Sequence, residues 1–505
     1  MAFVQNFPFF SIILTIFSGP LCSMLDGKKA KIWNLFLITV VGIMNLAVLA
    51  FVISTGESYT YMMGHFPAPW GNEIRVGVLE ALMAVFFCIV MFLCVISGAK
   101  EREKEVESTK INLYYVMVNL LLCSLIALVY TNDIFTAYVF VEINTLSACG
   151  LIMIKNKLHE GRTLEASVRY MIMSLLGSGM LLLGICFMYG LTGHLLMSNM
   201  QEAVASLVAN GQYYIPLLVA ICLMAVGLAI KSALFPFHSW VPDAYGYATL
   251  SSSAILSSMV SKGYIFLLIK IFFRVIGFEV IIGSHVLNVL FIFGIIGMII
   301  GSLDAIRESS IRRMIAYSSV AQIGYIYMGL GLGTTAGVVA SIYHILSHAV
   351  TKALLFVAAN GLTNVSNNRR DFKQLTGAGY RNKLAGFAFT IGALSMVGFP
   401  LLSGFVSKVL FAQAAVGTNV KMFFTLFALA ISTILNTVYF MKTVIRIYTP
   451  MDVEIEQEKG FTRTSFLEDK GKAIAMICFV IMNLILGLYS QPIIELIETG
   501  LAMFM

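Results

Sequence analysis

Apolar runs close to twenty residues long follow one another along almost the whole chain, from residue 7 to residue 497 of 505. A helix of about twenty apolar residues spans the ~30 Å hydrocarbon core of a bilayer, and only segments that satisfy their own backbone hydrogen bonds can cross it. The pattern therefore predicts a polytopic bundle of membrane helices. Composition excludes the soluble classes: 59% of residues are hydrophobic and 12% charged, far from a globular domain. Fourteen spans are expected, near 7–25, 31–53, 78–97, 112–130, 133–154, 168–191, 214–235, 250–273, 285–303, 313–333, 338–360, 384–414, 420–448 and 473–497. The first lacks the basic flank and cleavage site of a signal peptide and reads as a retained span.

The net charge of +7 is spread over separate loops. Loops after odd-numbered spans hold Lys28, Lys29 and Lys31; Lys100, Arg102, Lys104 and Lys110; Lys155, Lys157 and Arg162; Arg307, Arg312 and Arg313; Arg369, Arg370, Lys373, Arg381 and Lys383; and Lys459, Arg463, Lys470 and Lys472. Loops after even-numbered spans hold Arg75, Arg274 and Lys421. The positive-inside rule then puts both termini outside, which only an even number of spans allows. Basic residues so dispersed suit an anionic membrane face and not a nucleic acid. The eight cysteines (22, 88, 94, 123, 149, 186, 222 and 478) lie in or beside apolar segments without a Cys-x-x-Cys pair, which indicates packing residues and neither a disulfide framework nor an iron–sulfur site. No soluble domain, nucleotide loop or cofactor motif interrupts the spans, and Gly329-x-Gly331-x-Gly333 follows no strand and reads as helix-end glycine.

Five charged residues stand inside the apolar stretches: Glu142, Lys231, Lys262, Lys352 and Lys408. A charge deep in hydrocarbon costs at least ~2.5–3.5 kcal/mol, and those that persist usually serve in moving charge. Two spans look broken. Pro236 and Pro242 follow Lys231 in the seventh, and Gly398-Phe399-Pro400 with Ser403-Gly404 precede Lys408 in the twelfth. Proline frees a backbone carbonyl, which at membrane depth needs a polar or wet neighbourhood. Two interrupted helices five spans apart, each with a lysine, fit paired structural repeats with ion sites at the breaks; two ordinary proline kinks are the alternative.

In the eleventh span His344, His348 and Lys352 recur at i, i+4 and i+8, one stripe of a helix, with Ser347 and Thr351 beside them. Such a ladder suits proton transfer, because histidine titrates near neutral pH, while desolvation and a nearby carboxylate such as Glu142 move a lysine's proton affinity in opposite directions. The same side chains could instead bond to neighbouring carbonyls. His344-x-x-x-His348 lacks the adjacent glutamate and third ligand of a zinc hydrolase, positions 345 and 346 being Ile and Leu, so no metal site is expected.

Four longer motifs occur in order: Lys231-Ser-Ala-Leu-Phe-Pro-Phe-His238-Ser-Trp-Val-Pro-Asp-Ala244, Arg312-Arg-Met-Ile-Ala-Tyr-Ser-Ser-Val-Ala-Gln-Ile-Gly-Tyr325, His344 through Phe356 (HILSHAVTKALLF) and Gly398-Phe-Pro-Leu-Leu-Ser-Gly-Phe-Val-Ser-Lys408. Through them, over residues 60–445, the chain resembles the antiporter-like membrane subunits shared by respiratory complex I, Mrp-type multisubunit Na+/H+ antiporters and membrane-bound energy-converting hydrogenases. Gly64 through Gly71 resembles the D-type Mrp chain and related hydrogenase subunits.

The resemblance implies one all-α integral membrane domain over residues 1–505, with about 14 transmembrane helices. Two inverted five-helix repeats would occupy residues 112–273 (helices 4–8) and 285–448 (helices 9–13), with helices 7 and 12 broken at Pro236 and Pro400 and flanking helices in 1–111 and 449–505. It implies a proton or Na+ pathway through Glu142, Lys231, His238, Lys262, His344, His348, Lys352 and Lys408. The chain would hold no cofactor; partner subunits would carry iron–sulfur clusters, flavin or nickel–iron centres of an NADH:quinone- or hydrogenase-type oxidoreductase. Its partners would be other membrane subunits of a hetero-oligomeric complex, the lipid of a prokaryotic inner (plasma) membrane, and H+ or Na+, with no nucleic acid. The chain departs from the family pattern at three places. Tyr247 through Ser251 lacks a usual proline, Gly77 stands for an aspartate with Glu73 and Glu80 nearby, and Glu308 stands for a glutamine. An Mrp-type antiporter without redox partners, and a structural spacer whose lysines move nothing, are the other readings.

Overall fold

A computed structural model of the chain describes residues 3–66, 71–155, 162–451, 460–464 and 469–504; Lys157, Lys459 and the Pro67–Trp70 part of the Gly64–Gly71 stretch lie outside them. Helices dominate. In chain order they are α1 (Phe7–Met24), α2 (Gly27–Thr55), α3 (Val78–Ser97), α4 (Ala99–Glu105), α5 (Ile111–Tyr130), α6 (Ile134–Met153), α7 (Arg162–Thr192), α8 (Met197–Ala209), α9 (Tyr214–Ser232) and α10 (Val241–Tyr247). Then come α11 (Leu250–Ile255), α12 (Ser261–Lys270), α13 (Phe278–Gly283), α14 (Val286–Arg307), α15 (Ile311–Gly331) and α16 (Thr335–Asn364). The series ends with α17 (Ala378–Arg381), α18 (Lys383–Val397), α19 (Ser403–Ala415), α20 (Val420–Ile447), α21 (Lys470–Leu488) and α22 (Ser490–Ala502).

Eleven of the described helices are long and apolar enough to cross a membrane. Three expected spans do not qualify as single apolar helices, each for a visible reason. Residues 250–276 contain π-helical turns at Leu256–Val260 and Ile271–Ile276, on either side of α12. The α15 segment is diluted by Ser318, Ser319, Gln322 and three tyrosines, yet its residues from Ser318 to Gly331 are all buried. The 384–414 segment is split into α18 and α19. Large apolar side chains project outward from the long helices, among them Phe36, Ile43, Ile172, Leu183, Phe427 and Ile434. Such a surface needs a bilayer to cover it.

At the centre runs α16, in which every residue from Gly337 to Thr363 is buried. It packs against α15, α18, α19, α21 and α11, so the His344–Lys352 stripe lies inside protein on all sides. Close helix approach is achieved with glycine elsewhere. A Cβ at Gly324 of α15 would lie 2.5 Å from the Gly294 carbonyl oxygen of α14. Small residues allow such backbone contact between membrane helices.

Several elements were not expected. Tyr59–Met62 (β1) and Glu73–Val76 (β2) pair antiparallel, Tyr59 opposite Val76, so the loop after α2 is a hairpin; both strands alternate in burial as a half-covered ribbon does. The extra helix α8 lies between α7 and α9. The 473–497 run is two helices, because Tyr489 leaves the helical conformation and Pro492, in the first turn of α22, has no N–H to carry α21 onward. Finally, Arg274 is a buried residue and not an outer-loop cation.

Candidate ion pathway

The first broken helix stops before its proline. Ala233 adopts the left-handed conformation, φ 66°, and ends α9 directly after Lys231 and Ser232. Residues 234–240 then turn without forming a helix, with Pro236 inside that turn. This ending holds Lys231 against α6. Its Nζ donates to Thr145 Oγ1 at 2.6 Å, lies 3.9 Å from Glu142 Oε1 and sits 5.4 Å from the Tyr264 ring centroid. Tyr264 in turn donates to Asn144 Oδ1 at 3.0 Å, and Asn144 Nδ2 donates to Ser124 Oγ at 2.9 Å. A polar cluster thus surrounds an ammonium that is itself buried.

Glu142 is placed differently from its partner. Its side chain keeps 25% exposure where that of Lys231 has none, and it shares its face of α6 with exposed Phe135, Val139 and Leu146. The carboxylate therefore sits on the rim of the chain. His238, in the turn after α9, faces α14: its Nε2 is 3.9 Å from Asp304 Oδ2.

Lys262 is fully buried in α12, and its Nζ donates to the Ser257 carbonyl in the π-helical turn. It is near enough to His344, His348 and Lys352 to act on all three electrostatically. On α16, His344 and His348 stack with ring centroids 5.8 Å apart, and His344 Nδ1 meets Ser407 Oγ at 2.5 Å. Among the described residues, His344 Nε2 and both ring nitrogens of His348 have no hydrogen-bond partner; buried polar atoms in that condition are usually met by ordered water. Lys352 Nζ donates to the Ile315 carbonyl at 3.2 Å and to Ser318 Oγ.

The second break brings Lys408 to the opened helix end. Gly398, φ 94°, ends α18, and Leu401, φ 74°, turns the chain into α19 with Pro400 between them. A Cβ on Gly398 would meet Lys408 Cδ at 2.9 Å, so glycine both permits the turn and leaves room for the side chain. Lys408 Nζ donates to the Val397 carbonyl at 2.5 Å and to Thr433 Oγ1 of α20 at 2.9 Å. Among the described residues, Lys262, Lys352 and Lys408 have no carboxylate within 4 Å. Lys262 is held by a carbonyl alone, and Lys352 and Lys408 each by a carbonyl and a hydroxyl, so an ammonium there can give up its proton without breaking an ion pair.

Further buried charges escaped the sequence reading. Lys270 stood inside an expected span by the same criterion as Lys262, and its Nζ donates to the Val129 and Thr131 carbonyls at 2.8 and 2.6 Å. It caps the last turn of α5. Arg274 and Glu80 form a buried pair with side-chain exposures of 1% and 0%. The hydroxyl partners Thr145, Ser318, Ser407 and Thr433 carried no signal, since Ser and Thr occur on many membrane helix faces.

Residues 131–435 match the NADH:quinone oxidoreductase/Mrp antiporter transmembrane family. The N-type chain of the NADH-quinone oxidoreductase of Desulforudis audaxviator is 30% identical, over 79% of this chain and 77% of that one. The D-type chain of the Na(+)/H(+) antiporter of Alkalihalophilus pseudofirmus is 26% identical, over 86% of this chain and 83% of its own length. Among solved structures, a chain of the membrane-bound sulfane sulfur reductase, an archaeal respiratory membrane complex, superposes with a TM-score of 0.86 at 26% identity, covering 100% of this chain and 98% of that one.

Proposed function

The chain belongs to the NADH:quinone oxidoreductase/Mrp antiporter transmembrane family, and on that premise we propose that it carries protons within a larger complex along Glu142, Lys231, Lys262, His344, His348, Lys352 and Lys408. It is an antiporter-like integral membrane subunit, and related chains are named as subunits of multisubunit membrane complexes. The observation supporting a pathway is the row of buried lysines and histidines held by hydroxyls, carbonyls and unpartnered space. His238 beside Asp304 would serve as a side access to the first break.

In this reading the chain crosses the membrane fourteen times, counting residues 250–276, 311–331 and the broken 383–415 with the eleven apolar helices. Residues 112–273 and 285–448 form two inverted repeats, with Lys231 and Lys408 at equivalent breaks. Residues 1–111 and 449–505 flank them. The basic loops face the interior of a prokaryotic cell and both termini face outward. Movement of charge in a neighbouring subunit next to Glu142, on the rim, would change how firmly Lys231 holds its proton and so load or empty the row.

The carried ion is H+, with Na+ as the alternative, and redox chemistry resides in partner subunits that hold iron–sulfur, flavin or nickel–iron centres. The likeness to the D-type chain of the Na(+)/H(+) antiporter favours a second reading, an Mrp-type antiporter without redox partners; the subunit composition of the purified complex separates the two. The pathway itself is tested by Lys231→Ala and Glu142→Gln in the complex reconstituted into proteoliposomes. Both variants are expected to assemble and to lose most proton translocation. Wild-type translocation in K231A would overturn the proposal.

A further inference from the structure

Beside the row of lysines, a cavity of about 510 Å³ opens on the face that carries the basic loops, lined by Glu308, Asp371, Lys442, Thr443, Arg446 and, at its inner end, Tyr439. Tyr439 is 3% exposed and lies eight residues before the end of α20, about 12 Å into the bundle at 1.5 Å per residue. The cavity therefore reaches well below the surface. Its wall also presents Gln374, whose Oε1 is buried without a hydrogen-bond partner among the described residues.

Two short polar connections leave Tyr439. Its hydroxyl lies near those of Ser318 and Ser302 without a direct hydrogen bond to either, and Ser318 Oγ accepts from Lys352 Nζ. It also donates to Asn436 Oδ1 at 2.5 Å. Asn436 belongs with Ser432 and Thr433 to the group around the Tyr325 hydroxyl, and Thr433 accepts from Lys408. Among the described residues, Asn436 Nδ2, Ser432 Oγ and Tyr325 Oη are buried close to one another without a well-formed hydrogen bond. On α20 the residues Ser432, Asn436, Tyr439 and Thr443 are all buried, with spacings of three and four that place them on one face. Ser and Thr are common where membrane helices pack, but with Asn436 and Tyr439 between them they make a continuous polar face to which water can bond.

We propose that this cavity is a second proton entrance, separate from Glu142 and Lys231, and that the hydroxyls of Tyr439 and Ser318 connect it to Lys352. The inference rests on the translocation reading above. A hydroxyl suits the task because it can accept a proton on one side and donate on the other, with no net change once the line of water reorients. The second half of the chain then exchanges protons with the basic-loop side directly, and Lys352 is loaded without waiting for transfer from Lys231.

The test uses the purified complex in proteoliposomes, with proton uptake read by a pH-sensitive dye. Tyr439→Phe keeps the ring and removes the hydroxyl, and Ser318→Ala removes the second oxygen. Each is expected to lower proton translocation roughly tenfold or more, the scale of a lost proton-transfer group, in an assembled complex. A separate variant guards against an effect through packing alone: T443C, at the cavity wall, is treated from the basic-loop side with a charged methanethiosulfonate, beside the unsubstituted complex treated in the same way. Labelling is expected to block translocation and dithiothreitol to restore it. Wild-type rates in Y439F, full rates in labelled T443C, or a T443C thiol that the reagent does not reach would each overturn the second entrance. Loss in K231A together with full activity in Y439F removes the entrance alone; full activity in both removes the translocation reading itself.

Discussion

A lysine in hydrocarbon is conspicuous by its cost, which is why Lys231, Lys262, Lys352 and Lys408 could be picked from the sequence, and why Lys270 belonged with them. What the sequence did not reveal is how each ammonium is held. The 3.9 Å between Lys231 and Glu142 is beyond hydrogen-bond range, whereas Thr145 accepts at 2.6 Å, so the hydroxyl and not the carboxylate fixes the side chain. Thr145→Val keeps the shape of the residue and removes that acceptor. Leaving a buried donor short of a partner costs about 1–3 kcal/mol, so we expect translocation to fall several-fold with the complex still assembled, as followed by proton uptake in proteoliposomes. An unchanged rate would mean that Thr145 does not position Lys231. Such partners stay hidden in sequence because only the approach of α6 to α9 selects one threonine among many.

At the scale of elements, the helix breaks were legible from Pro236 and Pro400, but their mechanism was not: each helix ends earlier, at a left-handed residue, Ala233 or Gly398, and the proline lies in the turn that follows. The amphipathic α22 and the hairpin were hidden because an apolar-run criterion is blind to short, half-exposed pieces. The way α21 is anchored is likewise a tertiary matter. Its first-turn Lys472 bonds to Glu101 of α4 at 3.2 Å and to Asn360 of α16 at 2.8 Å, and Asn364 also donates to Glu101 at 2.7 Å. Burial pushes the Glu101 carboxyl up, but the Lys472 charge and the hydrogen bonds from Lys472 and Asn364 outweigh it and hold it below the ordinary carboxylate value. A depressed carboxyl stabilises the fold above its unfolded value, and that contribution is lost as pH falls through the folded value. Glu101→Gln should therefore melt below the wild type at neutral pH, and the gap should close as the solution is acidified through the carboxylate range. Thermal unfolding of the purified complex across pH checks this; a gap independent of pH would show that the charge of Glu101 is not what anchors α21.

For the molecule as a whole, the succession of apolar helices and the histidine–lysine stripe on one of them were legible, because apolar runs and a charged stripe are properties of single segments. The joining of distant segments was not, and the Glu80–Arg274 pair shows why. Glu80 opens α3, where it also accepts from the Gly77 N–H at 3.1 Å, while Arg274 stands in the π-helical turn after α12 and lies against the Phe504 ring at 4.0 Å. Three parts of the chain, residues 77–80, 270–276 and the turn after α22, thus meet at one buried charge pair. Removing one member of such a pair strands the other and costs about 3–5 kcal/mol, whereas replacing both with apolar residues of similar volume is often neutral. Glu80→Leu and Arg274→Met are each expected to lower the melting temperature and the yield of assembled complex, and the double variant to recover most of both. Proton translocation measured on the double variant then separates two roles. Because the pair lies apart from the lysine row, we expect the rate to be retained once the fold is restored. A stable double variant with no translocation would instead make Glu80 and Arg274 part of the path, and the row of lysines would no longer describe all of it.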